Sequence, residues 1–171
     1  IDPPAEAVGL DGIEKVIREE SLIRAVKNGQ DKVARWNMMM ASTEGAMAFS
    51  KGLGAVHSMS HAIGADQNLR LHHGTLNAVI LPTVLRFNKE HVGDKYSKIA
   101  RAMGKEDSAD LAEIIEDLNI KIGLPRGLKE MGVTEKMIPE LIDHSIADPS
   151  NATTPRLPNR KEWEELFLDS M

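Results

Sequence analysis

The sequence predicts an all-α, multi-helix fold, and three observations support this class. Aromatic residues make up only 4% of the chain, whereas Ala, Leu, Ile and Met are abundant. Runs in which β-branched and polar residues alternate are missing, and Gly and Pro fall mostly between segments of helical periodicity. Since no repeat or clear domain boundary interrupts the chain, residues 1–171 are expected to form a single helical domain of about seven to nine helices.

The first two helices are predicted from their boundaries and apolar positions. Asp2-Pro3-Pro4 is typical of a helix start, and an apolar stripe then runs from Leu10 to Ile23 before a turn at Asn28-Gly29. A second helix is expected over about 31–50, and one of its faces carries small side chains, which indicates close packing against a neighbour. The small residues of that face are Ala41, Gly45, Ala46 and Ala48.

A short helix is expected next, after the glycine-rich break that ends at Gly54 and before Gly64. A loop over 65–73 follows, and the apolar periodicity then resumes in a helix that contains Pro82. Because proline lacks a backbone N–H, we expect Pro82 to kink or restart that helix.

Four further helices are predicted in the second half of the chain, at about 94–103, 108–122, 135–146 and 160–169. The last begins with a capping-box pattern formed by Asn159 and Glu162. Its apolar residues are expected to be buried, namely Trp163, Leu166 and Phe167. The segment 147–158 is predicted to be a long polar loop.

The composition excludes several classes of function. A formal net charge of -5 and the lack of any Lys/Arg block argue against nucleic-acid binding. No apolar run approaches the roughly 20 residues that a membrane-spanning helix needs, and the N-terminus lacks the pattern of a signal peptide. Without cysteine there can be no disulfide, thiolate metal site or cysteine nucleophile. We therefore expect a cytoplasmic protein that binds neither nucleic acid nor membrane.

The histidines carry the strongest indication of function, because four of the six lie between positions 57 and 73. His57 and His61 are four residues apart, so their imidazoles project from one helical face and can converge on one point. That arrangement suits a divalent metal, or one metal ligand beside one proton-transfer group. The alternative is a pair of core histidines whose ring nitrogens bond to backbone carbonyls.

His72 and His73 lie directly before a helix start, where the spacing allows either a solvated pair or an inward turn of one ring toward His57. The other two histidines stand alone among charged residues and are expected at the surface; these are His91 and His144. Asp66 is interpreted as a loop or capping residue. Catalytic divalent sites usually have at least three protein ligands, so the residues by themselves indicate an incomplete site.

An ordered set of glycines and histidines resembles the C-terminal signature of the iron-containing alcohol dehydrogenases. The matching residues are Gly54, His57, His61, Gly64, His73, Gly74, Asn77-Ala78 and Leu81-Pro82. The resemblance implies that the chain is the helical half of a dehydroquinate synthase-like fold. In such enzymes this half supplies ligands for Fe²⁺ or Zn²⁺, and an N-terminal domain binds NAD or NADP. The resemblance implies that His57 and His73 are metal ligands, and that His61 lies near the nicotinamide and takes part in proton relay or substrate placement.

The sequence also departs from the family pattern. The family's ligands are one aspartate and three histidines, and the D-x-x-x-H motif that holds two of them does not occur here. A Gly-rich dinucleotide-binding segment is also missing, so the N-terminal nucleotide-binding domain is expected to be absent and this chain alone to be inactive. Ala62 stands where the family often has proline, and a longer loop before His73 makes His72 a rival ligand.

The implied reaction is hydride transfer between a small-molecule alcohol and its carbonyl product. The sequence does not determine the oligomeric state, and a homo-oligomer is one of the states compatible with it. Two alternatives are compatible with the same residues. One is a maleylacetate reductase-like enzyme that reduces keto acids. The other is a non-catalytic helical module that binds a metal or a partner.

Overall fold

The computed structural model describes residues 2–171, and within that range the chain forms nine α-helices and no strand. The all-α prediction is therefore confirmed. The helices are α1 (Pro3–Ile13), α2 (Ser21–Lys27), α3 (Lys32–Ala48), α4 (Ala55–Gly64), α5 (His73–Asn88), α6 (Lys95–Ala102), α7 (Leu111–Lys121), α8 (Ile138–Ala147) and α9 (Arg160–Asp169). None of these described helices is both long and apolar enough to cross a membrane.

The described residues fall into two compact units. One consists of residues 2–51 and 93–109, with helices α1 to α3 and α6. The other consists of residues 52–92 and 110–171, with α4, α5 and α7 to α9. A single domain over 1–171 stays a prediction.

In the first unit, α1 and α3 approach closely where small residues face each other. A Cβ atom added at Gly9 would lie 3.4 Å from the Ala48 Cβ, and one added at Gly12 would lie 3.5 Å from the Ala41 carbonyl oxygen. The close packing predicted for the small face of α3 therefore holds at Ala41 and Ala48. It does not extend to Ala46, which is exposed.

The apolar stripe near the N-terminus is shared between two helices instead of one. Helix α1 continues into a π-helical turn at Glu14–Arg18, and the chain breaks at Glu20, whose φ is 53°. A left-handed residue cannot continue a right-handed helix, so α2 starts afresh at Ser21.

The second unit is built around an apolar core to which α4, α5, α8 and α9 contribute. Trp163 and Phe167 of α9 are fully buried, as are Met59 and Ile63 of α4. A fully buried large apolar side chain contributes roughly 1.5–3 kcal/mol. The predicted burial of the apolar face of α9 is confirmed, and so is the capping box between Asn159 and Glu162.

Helix α5 runs through Pro82 without restarting, and a kink at Pro82 stays a prediction. Proline has no N–H to donate to the carbonyl four residues earlier, which belongs to Ala78. The side-chain amide of Asn119, on α7, donates to that carbonyl oxygen instead, at 2.7 Å. A partly buried acceptor that the proline would have left unpaired is thereby satisfied.

The segment predicted as a long polar loop contains an ordered turn. Residues Pro149–Thr153 form a 3-10 helix, and the Asp148 carboxylate caps it by accepting the Ser150 N–H at 2.8 Å. The prediction of a long polar loop over 147–158 is therefore corrected at Pro149–Thr153, and this turn shapes the site described next.

Candidate active site

Helix α4 begins at a close approach between two glycines and two threonines. Gly52 has a φ of 87°, and any Cβ there would collide with the Thr153 side chain, while a Cβ at Gly54 would lie 3.1 Å from the Thr154 Oγ1. Thr153 Oγ1 donates to the Leu53 carbonyl oxygen at 2.6 Å. Glycine is needed at position 52, because only a residue without Cβ permits this approach, and a Cβ at position 54 would require the Thr154 side chain to shift by a few tenths of an ångström. The 3-10 turn is thereby held beside the start of α4.

A second connection joins this turn to α4 and α8. Ser58 of α4 donates from its hydroxyl to the Asn151 Oδ1 at 2.9 Å. The Asn151 amide in turn donates to the carbonyl oxygen of Ser145, in the last part of α8, and to that of Ile146 at 3.3 Å. Asn151 therefore fixes the position of the turn relative to both helices.

Three imidazoles converge between α4 and the start of α5. The ring centroids of His57 and His61 are 5.6 Å apart, and each lies 5.3 Å from the ring centroid of His73. The planes of His61 and His73 differ by only 17°, so these two rings stack. The two histidines of α4 share a face as predicted, and His73 is the third member of the cluster.

Two ring nitrogens of the cluster face the same amide group. The Asn77 Nδ2 lies 3.4 Å from His57 Nε2 and 3.0 Å from His73 Nε2. On its other side, the Nδ1 of His73 lies 3.4 Å from the hydroxyl of Ser60. The sequence pattern contained Asn77 but not Ser60, and nothing in it indicated that either side chain contacts the imidazoles.

His72 has a different position from His73, although the two are neighbours. It is the N-cap residue of α5, and its Nδ1 accepts the Thr75 backbone N–H at 3.3 Å. Its ring lies over Gly74, where an added Cβ would be 3.1 Å from the His72 Cε1. The histidine outside the cluster thus uses one ring nitrogen to cap the helix. The remaining histidines, His91 and His144, are exposed as predicted.

Asp148 is the site residue that sequence reasoning missed. Its Oδ2 lies 3.0 Å from the Nδ1 of His61. Burial acts to raise the pKa of this carboxyl, but hydrogen bonds from the side chain and backbone N–H of Ser150 and from His61 outweigh it and hold the pKa below its usual value. An ionised carboxylate therefore contacts the cluster at neutral pH. The one local signal was Asp148-Pro149-Ser150, which is typical of a capped turn.

The cluster fits two nitrogen ligands of a divalent transition ion. Burial, and then the charges that His73 and His61 can carry, lower the pKa of His57, so its imidazole is in the neutral form that binds metal. Among residues 2–171 no group of three or more His, Asp or Glu side chains is arranged to hold an ion, so the two Nε2 atoms supply only part of a coordination shell. Asp66 accepts two backbone N–H groups of its own loop, as predicted.

Comparison with known proteins places this chain in a family. Residues 3–171 match the family model described as the Fe-containing alcohol dehydrogenase family, C-terminal. The chain is 44% identical over 177 residues to the 4-hydroxybutyrate dehydrogenase of Cupriavidus necator, a match that covers 99% of this chain and 46% of that protein. It is 35% identical over 175 residues to the 1,3-propanediol dehydrogenase of Citrobacter freundii, over 97% of this chain and 44% of that protein.

Solved structures give the same result. A crystal structure of a 1,3-propanediol oxidoreductase matches with a TM-score of 0.91 at 31% identity, over 99% of this chain and 46% of that one. An iron-containing alcohol dehydrogenase from Thermococcus thioreducens matches with a TM-score of 0.85 at 31% identity, over 99% and 44%. The chain thus spans less than half the length of these relatives. It belongs to the iron-containing alcohol dehydrogenase family, and it corresponds to the C-terminal part that the family model describes.

Proposed function

We propose that this chain supplies the helical, metal-binding part of an NAD- or NADP-linked dehydrogenase that interconverts a small alcohol and its carbonyl product. The observation that carries the proposal is the convergence of His57, His61 and His73 in a chain of this family. The proposed cofactors are Fe²⁺ or Zn²⁺ and a nicotinamide dinucleotide. When bound, the ion supplies Lewis acidity toward the substrate oxygen and the nicotinamide exchanges a hydride with the substrate.

His57 and His73 are the proposed metal ligands, each through Nε2. Their support is that both Nε2 atoms lie within 3.4 Å of one atom, the Asn77 Nδ2, so that two lone pairs can point to one place. The lowered pKa of His57 favours the neutral ring that such a ligand requires. Other donors would have to complete the shell.

His61 is proposed to contact the nicotinamide and to move a proton at its Nε2. Its side chain is 42% exposed, which leaves the outer part of the ring accessible to a ligand or to solvent. The Asp148 carboxylate on Nδ1 orients the ring and favours a hydrogen at that nitrogen. The opposite nitrogen is then available as an acceptor for a proton.

The relatives named above direct the choice of trial substrates. Because their names specify 4-hydroxybutyrate and 1,3-propanediol, we propose a short-chain alcohol that carries a second polar group at its far end. The expected cytoplasmic location and a homo-oligomer remain predictions.

The test is an assay of NAD and NADP reduction by the protein that carries this chain, with 4-hydroxybutyrate and 1,3-propanediol as substrates. His61→Gln should lower kcat by about 10²–10⁴-fold, the range that a general acid–base group contributes, whereas the exposed His144→Gln should match the parent. Reduction of a keto acid such as maleylacetate without oxidation of either alcohol would contradict the proposal. So would parental kcat in His61→Gln.

A further inference from the structure

The Ser60 hydroxyl contacts both a backbone carbonyl and the ring of His73. The Ser60 side chain is fully buried, and its Oγ lies 3.2 Å from the His57 carbonyl oxygen and 3.4 Å from His73 Nδ1. A hydroxyl has one hydrogen to donate and two lone pairs with which to accept. Since a carbonyl oxygen can only accept, the hydrogen of Ser60 goes to His57, at the shorter of the two distances. Oγ is left as an acceptor, which requires an N–H at His73 Nδ1.

Asn77 imposes the same requirement from the other side. Its amide nitrogen carries two hydrogens and lies 3.0 Å from His73 Nε2 and 3.4 Å from His57 Nε2. Each of these Nε2 atoms can accept only if it has a free lone pair, so both neutral rings carry their hydrogen on Nδ1. For His73, the conclusions drawn from Ser60 and from Asn77 agree.

The opposite orientation of the amide fits less well. It would put an oxygen between the two Nε2 atoms, and both rings would then need their hydrogen on Nε2. The Ser60 hydroxyl would then have to donate to His73 Nδ1, and its hydrogen bond to the His57 carbonyl oxygen would be lost. The Asn77 Oδ1 is buried with no hydrogen-bond partner among residues 2–171, so a reversed amide would bury its N–H donors there instead.

We propose that Ser60 and Asn77 are positioning residues, which hold His57 and His73 as neutral Nδ1–H tautomers with both Nε2 lone pairs turned to one point. That point is the position of a divalent ion, and this part of the inference rests on the proposed function. The tautomers themselves are a property of the metal-free chain. The solvated histidine side chain favours its hydrogen on Nε2, so the protein must reverse that preference with hydrogen bonds. Because an ion needs the same lone pairs, the Asn77 amide hydrogens must leave them when the ion binds.

The first test is spectroscopic and needs no enzyme activity. Long-range ¹H–¹⁵N spectra of the ¹⁵N-labelled, chelator-treated chain distinguish the two tautomers, with ring signals assigned from His57→Gln and His73→Gln. We expect Nδ1–H rings at His57 and His73. Ser60→Ala should shift His73 toward the Nε2–H form and leave His57 unchanged, whereas Asn77→Leu should shift both. Ser145→Ala removes an equally buried helical hydroxyl, which donates to the Ser58 carbonyl oxygen at 3.4 Å and not to a ring nitrogen of the cluster, so it should change neither ring.

Calorimetric titration with Zn²⁺ provides the second measurement. Ser60→Ala should weaken zinc binding by about tenfold, as is usual for a residue that orients a ligand, while Ser145→Ala should bind like the parent. An Nε2–H ring at His73 in the parent would overturn the inference even if zinc binds. Nδ1–H rings in a chain that binds no zinc would uphold the tautomer assignment and refute the proposed metal site. If Asn77→Leu fails to fold, the tautomer of His73 in Ser60→Ala tests the inference by itself, since alanine is well tolerated in a helix. An unchanged Nδ1–H ring at His73 in Ser60→Ala would then overturn it.

Discussion

The carboxylate of Asp148 lies 3.0 Å from the Nδ1 of His61, a residue 87 positions earlier in the chain. The contact depends on the 3-10 turn that Asp148 caps, and that turn is held against α4 by Thr153 and Asn151. The imidazole cluster is therefore shaped by the segment after α8 as well as by the two helices that carry the histidines.

Asp148 should titrate below the usual range for an aspartate. Burial acts to raise its pKa, but the hydrogen bonds from Ser150 and His61 lower it further than burial raises it. His61→Ala should therefore raise the pKa of Asp148, whereas the exposed His144→Ala should not. Because the folded pKa is below the unfolded value of about 3.9, this carboxylate stabilises the fold above that pH and the contribution is lost as pH falls. NMR titration of the Asp148 carboxylate carbon measures its pKa in the parent and in each variant. An unchanged pKa in His61→Ala would contradict the account.

His57 should make the chain sensitive to mild acid. Burial, followed by His73 and His61, lowers its pKa below the unfolded value of about 6.5, so the unfolded chain takes up the proton more readily. The stability that neutral His57 contributes is thus present above about pH 6.5 and is lost as pH falls through the folded pKa. Urea unfolding between about pH 7 and 5 should show a shallower loss of unfolding free energy in His57→Asn than in the parent. His91→Asn serves as the exposed control, and identical pH dependence in His57→Asn and the parent would refute the prediction.

Pro82 and Asn119 should be energetically coupled through the Ala78 carbonyl. Asn119→Leu leaves that partly buried acceptor without its side-chain donor and should cost about 1–3 kcal/mol of unfolding free energy. In a Pro82→Ala background the backbone N–H at position 82 can pair with the same carbonyl, so Asn119→Leu should cost less. Denaturant unfolding of the four proteins gives the coupling, which should exceed about 0.5 kcal/mol; additive costs would show that the carbonyl does not link the two residues.

Tyr96 should ionise only at strongly alkaline pH. Burial raises its pKa to about 12. It is the chain's one tyrosine, so the near-ultraviolet absorbance of phenolate reports this residue alone. The tyrosine should titrate near pH 10 in the protein unfolded in guanidinium and near pH 12 in the folded protein. The stability that protonated Tyr96 contributes to the folded state is therefore present below about pH 10 and is lost as pH rises toward 12. A folded protein that titrates near 10 would show that the ring is solvated.

The sequence-based predictions succeeded where the determining interactions are local. The capping box of α9 needs only Asn159 and Glu162, and the i, i+4 spacing of His57 and His61 by itself puts both rings on one helical face. The glycine–histidine pattern then selected His73 as the third histidine, and the structure brings its ring to the other two.

The predictions failed where a distant residue decides the local structure. Nothing near Pro82 shows that Asn119 will supply the missing donor for its helix. The turn at Pro149–Thr153 depends on the close approach of Thr153 to Gly52, about a hundred residues away. Polar segments have no periodicity from which such contacts can be inferred, so the contribution of Asp148 to the site could not be predicted.

The central claim is that His57 and His73, and not His72, present ring nitrogens to one divalent ion. Calorimetric titration of this chain with Zn²⁺ at neutral pH, in the parent and in His57→Ala, His73→Ala and His72→Ser, tests it most directly; serine keeps a capping side chain at the start of α5. We predict weak binding by the parent, because two imidazoles form only part of a shell. Binding should be lost in His57→Ala and in His73→Ala and should be unchanged in His72→Ser. Parental affinity in His57→Ala, or a loss in His72→Ser as large as that in His73→Ala, would contradict the claim.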